Sequence, residues 1–367
     1  MANTLKAVSF FTGAGGLDMG MHRAGFDIRL CVEIEKKYCD TLKLNYLNWN
    51  VKNDNIMNYD KNRIYEEAGL SLDEQIDLMF GGSPCQSFST AGKRQAFGDV
   101  RGQAMIKYIE LIQEVKPKAF LLENVKGLLS AALKHRKLEH RGNEFEPLED
   151  EEKPGSVLAY IMSYFDDYNV NMKVINAADY GVSQKRERVI FVGIRKDLNK
   201  NFEFPEPTHN SDGCEGKSKW ISFEEISNKL QNKIKEQHYV TYSAERLKYM
   251  KMIPKGGGNW RDLPIDIAEM AMGGAFKSGG GKVGFFRRVK LNKPAPTLLT
   301  SPAQKATNLG HPLEDRPLSI EEYLIIQGFP IDYKIAGSIT DQYTQIGNAV
   351  PVELAYKLGK AILETLK

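Results

Sequence analysis

The first 200 residues alternate short apolar runs with amphipathic segments, and this alternation constrains the fold more than any other feature. The apolar runs are typical of buried strands, and the segments between them carry apolar residues at helical spacing. Repeated strand-then-helix order predicts a parallel sheet covered by helices on both faces. We therefore expect an α/β protein, with strands near residues 5–11, 28–33, 76–80, 119–123 and 189–195 and helices from residue 17, at 105–115 and at 157–165.

The alternation stops after Pro207, and the charge balance changes there as well. A length of 367 residues suggests two domains at about 150 residues each. The net charge of the chain is only +3, but residues 204–319 hold 18 Lys+Arg against 12 Asp+Glu. Between Met270 and Leu313 there are seven basic residues and no acidic one. We expect 204–319 to form a separate, irregular, β-containing domain that is basic, and helical periodicity to return from Pro351.

Composition excludes several protein classes. Hydrophobic residues make up 42% of the chain and charged residues 26%, which is typical of globular proteins and not of disordered or disulfide-dense ones. No secretory signal and no apolar run long enough to cross a bilayer is visible. The four cysteines form no Cys-x-x-Cys pair, so the spacing of a zinc site is absent. We expect a cytoplasmic protein with reduced thiols.

A glycine-rich turn, Phe11-Thr12-Gly13-Ala14-Gly15-Gly16, follows the first strand and opens a helix. Such turns let a ligand approach the backbone and leave the helix N–H groups free. Glu33 lies 17 residues after Gly16, close to the spacing at which a carboxylate meets a ribose hydroxyl. Asp54, after a third short segment, could meet the amino group of an adenine-like ring. These residues fit any adenosine-containing cofactor, NAD included.

Cys85 is placed for chemistry, because it lies in the loop that follows the strand at 76–80. Ligands of open α/β sheets bind outside the carboxyl ends of the strands, and a thiolate there is a candidate nucleophile. Cys31 and Cys39, inside an expected strand and helix, suit burial instead. Glu123 ends the next strand on the same edge, and its position favours a general acid.

Five motifs now stand in order: Phe-x-Gly-x-Gly-Gly at 11–16, Gly-Gly-x-Pro-Cys-Gln at 81–86, Glu-Asn-Val at 123–125, Gln-x-Arg-x-Arg at 184–188 and Gly-Asn-Ala-Val-Pro at 347–351. Together they resemble the motifs of DNA (cytosine-5) methyltransferases of the bacterial restriction–modification type. The resemblance covers roughly 1–203 and 316–367. It implies a Rossmann-like methyltransferase fold that uses S-adenosylmethionine as methyl donor and needs no metal.

The resemblance also implies catalytic roles. Cys85 would add to C6 of a cytosine extruded from the duplex, which makes C5 nucleophilic. Glu123, in its carboxylic-acid form, would protonate or hydrogen-bond N3. Arg188 would hold the O2 edge of the base and help to fix Glu123, with Arg186 beside it.

A larger set of residues would hold the cofactor by resemblance. Glu33 would bind its ribose and Asp54 its adenine, whereas Ile34 stands where the family often has an aromatic residue. Asn55 also departs from the apolar residue that usually follows the aspartate. The complete predicted set is Phe11, Gly13, Gly15, Gly16, Glu33, Ile34, Asp54, Asn55, Pro84, Asn348 and Val350.

The family organisation implies a catalytic domain of residues 1–203 plus 340–367, a target-recognition domain at 204–319 and a hinge region at 320–339. Double-stranded DNA would be the partner, and a cognate restriction endonuclease would act separately; we expect a monomer with no membrane association. The predicted DNA contacts are Ser87, Ser89, Lys93 and Arg101 in the loop after Cys85, and Arg287, Arg288, Lys290 and Lys293 in the basic domain.

Three alternatives remain at this point. The same chemistry could act on RNA, as in tRNA-directed relatives of the fold, although the basic domain at 204–319 favours duplex DNA. A catalytically idle DNA-binding subunit is opposed by the intact Pro84-Cys85-Gln86 and Glu123. An NAD-dependent oxidoreductase has support only from the glycines of the first turn.

Overall fold

A computed structural model describes residues 4–84, 100–136, 140, 144–231, 236–279 and 282–367. Within these residues the chain forms two compact units. The first unit comprises Met1–Asn176, Glu187–Glu206 and Ala355–Lys367, and the second comprises Ala177–Arg186 and Pro207–Leu354. These boundaries differ from the predicted domain limits at 203/204 and 339/340, and the division of the chain by function stays a prediction.

A sheet of seven strands forms the centre of the described part of the first unit. Its order is β3-β2-β1-β4-β5-β8-β6, and the neighbouring pairs from β3 to β5 are all parallel. The inner strands are buried on both faces, as parallel strands under helices require. The strands are β1 Lys6–Phe10, β2 Asp27–Glu33, β3 Val51–Asn53, β4 Leu78–Gly82, β5 Ala119–Val125, β6 Tyr168–Asn176 and, after the two-residue β7 Gln184–Lys185 of the second unit, β8 Glu187–Arg195.

Helices follow the parallel strands, as the sequence predicts, and bury their apolar faces against the sheet. No helix among the described residues is both long and apolar enough to cross a membrane. The helices of the first unit are α1 Gly16–Ala24, α2 Lys36–Asn45, α3 Lys61–Ala68, α4 Val100–Val115 and α5 Ser156–Met162; α11, Val352–Leu366, lies mostly in this unit as well.

The expected strands are confirmed, but the sheet is not parallel throughout. Strand β8 runs antiparallel to both β5 and β6. The sequence pattern did not predict strand β6, because its side chains are mostly half-buried or exposed. The polar residues Asn169, Asn171 and Lys173 also interrupt its apolar residues. With β6 unrecognised, nothing in the sequence indicated that the next strand reverses direction.

The second unit contains more helix than the sequence predicts for an irregular, β-containing segment. Its described strands, β7, β9 His209–Asn210, β10 Ser218–Lys219 and β11 Ala295–Pro296, have two residues each. A capping box at Ser222 and Glu225, which the sequence reading missed, starts the first helix. The helices are α6 Phe223–Gln231, α7 Ala244–Met252, α8 Ile265–Met272, α9 Ile320–Gln327 and α10 Ile339–Asn348.

Helices α1 and α11 approach each other closely at Gly20. A Cβ atom at Gly20 would overlap the side chain of Ala355 and the backbone of Tyr356. Because no larger residue fits there without moving one helix, glycine is required for this contact. The contact places the last helix of the chain against the helix that follows the glycine-rich turn.

A buried carboxyl group lies in the first turn of α1. Asp18 is fully buried; its Oδ1 accepts a weak hydrogen bond from the Cys31 thiol (3.7 Å), and Oδ2 accepts none from the residues that the structure describes. Burial raises the pKa of Asp18 to about 7, despite a stabilising hydrogen bond from Ser9. Both Cys31 and Cys39 are buried, as expected.

Asp18 should make stability fall as pH rises. Its carboxyl holds its proton up to pH of about 7 in the folded protein but only to about 3.8 when unfolded, so the folded state loses relative stability across this window. The full effect is about 4 kcal/mol. Measured by urea unfolding between pH 5 and pH 8, Asp18→Asn should become progressively more stable relative to the wild type.

Asp27→Asn is the matched control, because Asp27 starts the neighbouring strand with an exposed side chain. This variant should follow the pH dependence of the wild type. If the difference in unfolding free energy between Asp18→Asn and the wild type stayed constant from pH 5 to pH 8, the Asp18 pKa would not be raised.

Candidate active site

The turn after β1 has the backbone geometry that its glycines permit. Gly13 and Gly15 take left-handed φ values of 58° and 81°, and Phe11 also has a positive φ of 56°. The Gly15 N–H donates to the Thr12 carbonyl (2.9 Å), which closes the turn directly before α1. Gly15 is the N-cap residue of α1 and has no side chain, so the first N–H groups of the helix lack an N-cap acceptor.

Glu33 lies at the carboxyl end of β2 and is bound to this turn. Its Oε2 accepts from the Gly13 N–H (2.8 Å) and its Oε1 from the Glu35 N–H (2.9 Å). Burial raises the pKa of Glu33, and backbone hydrogen bonds from Glu35, Gly13 and Ile34 offset this only in part. A carboxylate has about four acceptor positions, so Glu33 keeps room for a ribose hydroxyl beside its backbone donors.

Asp54 follows β3, and its N–H donates to the Glu33 carbonyl (3.0 Å). Its Oδ1 accepts from the Asn55 N–H and from the Asn58 side chain, both at 2.7 Å. Asn55 has a local role besides, since its side chain accepts from the Met57 N–H and caps a 3-10 turn. Ile34, between these carboxylates in the chain, is 58% exposed.

These residues suit an adenosine-containing cofactor. Glu33 offers acceptors for a ribose, Asp54 an acceptor for an amino group, and Ile34 an exposed apolar surface for a flat ring. A Cβ built at Gly13 would meet only the Phe11 carbonyl oxygen, at 3.9 Å, so the turn leaves room beside its backbone. The cofactor-binding role of these residues stays a prediction.

A second group of side chains lies at the carboxyl ends of β4 and β5. Gly82 pairs with Glu123 across these two parallel strands. Glu123 is 8% exposed, and its Oε1 accepts from the Arg188 Nε at 2.9 Å. Arg188 reaches it because β8 is antiparallel to β5, with Val125 opposite Arg188. A buried carboxyl and a guanidinium are thus held together where ligands of α/β sheets bind.

Asn124 anchors the segment that follows β4. It is fully buried, and its side-chain amide donates to the Ser83 hydroxyl oxygen at 2.9 Å. The sequence reading assigned no role to Asn124, and its only signal was its place between Glu123 and Val125. Its contact fixes where the chain leaves the sheet toward Pro84 and Cys85.

Five predicted site residues lie wholly or partly outside the described part of the chain. Cys85, Ser87, Ser89 and Lys93 lie outside the described residues, and the side chain of Arg101 does as well. Their roles stay predictions. Within the described ranges, no three His, Cys, Asp or Glu side chains cluster in a way that could hold a metal.

Arg186, Asn348 and Val350 belong to the second unit. Arg186 is 2% exposed and donates to the carbonyls of Leu298 and Asn348, each at 3.4 Å. Nearby, the buried side chain of Gln184 donates to Gln327. These contacts stabilise the second unit, and the predicted catalytic and cofactor roles of the three residues stay predictions.

The four predicted DNA-binding cations of the second unit differ in accessibility. Lys290 and Lys293 are exposed, and Arg287 is half-buried with its Nε 3.4 Å from the Asn308 carbonyl. Arg288 is 1% exposed and donates to four backbone carbonyls and to Asp315. Its guanidinium is fully used inside the unit, which argues against its predicted DNA contact.

Comparison with known proteins agrees with the motifs. The family model for C-5 cytosine-specific DNA methylases matches residues 5–364. A type II methyltransferase of Staphylococcus aureus is 37% identical over 358 residues, covering 97% of this chain and 75% of the relative. Another from Psychrobacter sp. strain TA137 is 39% identical over 370 residues, covering 100% of this chain and 80% of the relative.

Solved structures share the fold at lower identity. A DNA modification methyltransferase encoded within an E. coli prophage superposes with a TM-score of 0.66 and 21% identity over 99% of both chains. A Dnmt2 methyltransferase of S. pombe gives 0.57 and 15% over 100% of both. The chain therefore shares the fold of these solved methyltransferases. The match along nearly the whole chain shows that it belongs to the family of C-5 cytosine-specific DNA methylases and is a DNA (cytosine-5) methyltransferase.

Proposed function

We propose that this enzyme methylates an extruded cytosine in duplex DNA through a covalent bond between Cys85 and C6 of the base. The Glu123–Arg188 pair is the observation that carries this proposal. It holds a carboxyl group and a cation at the carboxyl edge of the sheet, next to the strand that leads to Cys85.

Addition of the Cys85 thiolate to C6 forms the C–S bond and moves an electron pair of the ring toward N3. Glu123 in its acid form donates its proton to N3, which leaves C5 as a nucleophilic enamine carbon. Arg188 steadies the carboxyl through its Nε, and its remaining guanidinium N–H groups can donate to the O2 of the base. Glu123 and Arg188 thus stabilise the negative charge that thiolate addition creates on the ring.

When bound, S-adenosylmethionine supplies the methyl group that C5 attacks. Glu33 and Asp54 orient the nucleoside part, and the glycine-rich turn at residues 11–16 gives it backbone access. After transfer, the C5 proton leaves to water or hydroxide, the thiolate of Cys85 is eliminated, and Glu123 recovers its proton from N3. Atoms and charge balance over the cycle, and Cys85 and Glu123 return to their starting states.

Extrusion of the base is required because C6 cannot be reached inside the stacked duplex. We propose that the loop after Cys85, with Ser87, Ser89, Lys93 and Arg101, closes over the DNA during this step. Target recognition is assigned to residues 204–319, with 320–339 as hinge and 1–203 plus 340–367 as catalytic domain. Lys290, Lys293 and Arg287 are the proposed phosphate contacts of the target-recognition domain.

The biological role that fits is protection of host DNA from a separate restriction endonuclease. The names of the type II relatives support this role. Such a role places the enzyme in the cytoplasm with the chromosome, and we propose that it acts as a monomer.

Methyl transfer tests the proposal and its RNA alternative together. Incubation with labelled S-adenosylmethionine should transfer label to duplex DNA and not to tRNA, and bisulfite sequencing should place every methyl group on a cytosine within one recurring sequence. Glu123→Gln should lower the rate at least 100-fold, because an amide cannot protonate N3. Transfer to tRNA alone would contradict a DNA substrate, and full activity of Glu123→Gln would contradict its acid role.

The exposed lysines give a prediction on DNA affinity. Lys290→Ala combined with Lys293→Ala should weaken binding to all duplex sequences and reduce the slope of log K against log salt by about 2, because two phosphate contacts are lost. The measurement is a salt titration of duplex binding by fluorescence anisotropy.

Lys134→Ala with Lys153→Ala is the control, since both side chains are exposed but lie among acidic residues of the first unit. Its salt slope should equal that of the wild type. An unchanged slope for the Lys290 and Lys293 variant would contradict the assigned phosphate contacts.

A further inference from the structure

Arg63, on α3, makes four hydrogen bonds to three groups of the first unit, and none of the five sequence motifs includes Arg63. One of its terminal nitrogens, Nη2, contacts the Asp54 carboxylate and the Glu67 carboxylate, the latter at 3.0 Å. Its Nε also donates to Glu67 (3.0 Å), and its Nη1 donates to the Asn58 carbonyl (3.1 Å). Because the guanidinium is planar, these contacts fix its orientation relative to Asp54.

Away from Asp54, the side chains of Arg63 and Glu67 contact Tyr59 in the hydrophobic core of the first unit. Glu67 accepts a hydrogen bond from the Tyr59 hydroxyl at 2.7 Å, and the Arg63 guanidinium lies over the Tyr59 ring at 4.3 Å. Tyr59 is 2% exposed and packs edge-on against Phe10 of β1, with ring centroids 5.9 Å apart. A continuous set of contacts therefore runs from the central sheet to Asp54.

Asp54 has a limited number of free acceptor positions. A carboxylate has about four. Oδ1 uses two for Asn55 and Asn58, and Oδ2 uses one for Arg63, so one position on Oδ2 stays free with respect to the described residues. Burial alone would raise the pKa of Asp54, but the donors Asn58, Asn55 and Arg63 lower it below its usual value. Asp54 is thus held ionised and can accept one further hydrogen bond.

Support of the helix is a poor explanation for the pair of Arg63 and Glu67. Arginine here precedes glutamate at i,i+4 in α3, which is the less favourable order for the helix dipole. The Arg63 and Asp54 side chains are 34% and 24% exposed, and partly exposed ion pairs contribute little to folding stability. The geometry of the pair favours a role in orienting Asp54.

We propose that Arg63 is a positioning residue that aims the free acceptor of Asp54 at the 6-amino group of the cofactor's adenine, and so sets the selectivity for adenine. This inference rests on the proposed function, in which Asp54 binds adenine. A ring with a 6-oxo group has no donor at that position and places an oxygen against the ionised carboxylate, so it is rejected.

Calorimetric binding of S-adenosylhomocysteine and its 6-oxo (inosine) analogue tests the proposal without turnover. The wild type should bind the adenine ligand about 10- to 100-fold more tightly, as expected for one hydrogen bond to a charged group. Arg63→Met should lose most of this preference, weakening the adenine ligand about tenfold and leaving the 6-oxo ligand almost unchanged. Arg63→Lys should retain an intermediate preference, because lysine keeps the charge but not the planar set of donors.

Two further variants separate positioning from a general structural role. Arg29→Met is the matched control, since Arg29 donates to the Ala68 and Gly69 carbonyls at the other end of α3. It should leave the ligand preference unchanged. In an Asp54→Ala background, Arg63→Met should cause no further loss of adenine affinity.

Four outcomes of these binding measurements would overturn the proposal. An equal loss for both ligands in Arg63→Met, or an additive loss in the Asp54→Ala background, would mean that Arg63 acts only through the fold. Should Arg63→Met fail to fold, an Arg63→Lys variant that keeps the full wild-type preference for the adenine ligand would also refute the proposal. A wild type that binds both ligands equally would overturn the Arg63 proposal but leave methyl transfer standing, whereas no binding of either ligand would refute the proposed cofactor itself.

Discussion

The contact between Glu123 and Arg188 depends on the direction of one strand. In the antiparallel pairing of β5 and β8, Ile190 lies opposite Glu123, so Arg188 is its diagonal neighbour on the same face. A parallel β8 would start at the opposite edge of the sheet and would carry Arg188 away from Glu123. Reversal of β8 is thus the feature that brings a cation to the edge where β4 leads to Cys85, and the proposed chemistry depends on it.

Sequence patterns predicted much of the first unit, because buried parallel strands are nearly continuous apolar runs. They missed β6, whose half-exposed residues alternate poorly, and with it the reversal of β8. Glu33 and Glu123 could be placed at strand ends because their strands are recognisable apolar runs, and Asp54 could be placed after a third short segment. Arg63 could not, because an arginine four residues before a glutamate is typical of any exposed helix, and only the fold brings it to Asp54.

In the second unit, the sequence predicted a DNA contact at Arg288 that its burial argues against. A run of cations among aromatic residues predicted a DNA-binding surface, and charge alone did not distinguish Arg288 from Lys290. The structure separates them, since Arg288 is enclosed by carbonyls and Asp315 whereas Lys290 is exposed. A buried arginine with satisfied donors stabilises the loops that surround it. Sequence reports the charge of a side chain, and packing decides whether that charge is available to a partner.

The proposed mechanism depends on covalent addition of Cys85 to cytosine at this edge of the sheet. A duplex target with 5-fluorocytosine tests it most directly, because fluorine at C5 cannot leave as a proton and the adduct is trapped after methylation. The wild type with S-adenosylmethionine should form a denaturation-stable protein–DNA species on gels, and Cys85→Ala should form none. An adduct that persists in Cys85→Ala, or no adduct with the wild type on a duplex that it methylates, would contradict covalent catalysis by Cys85.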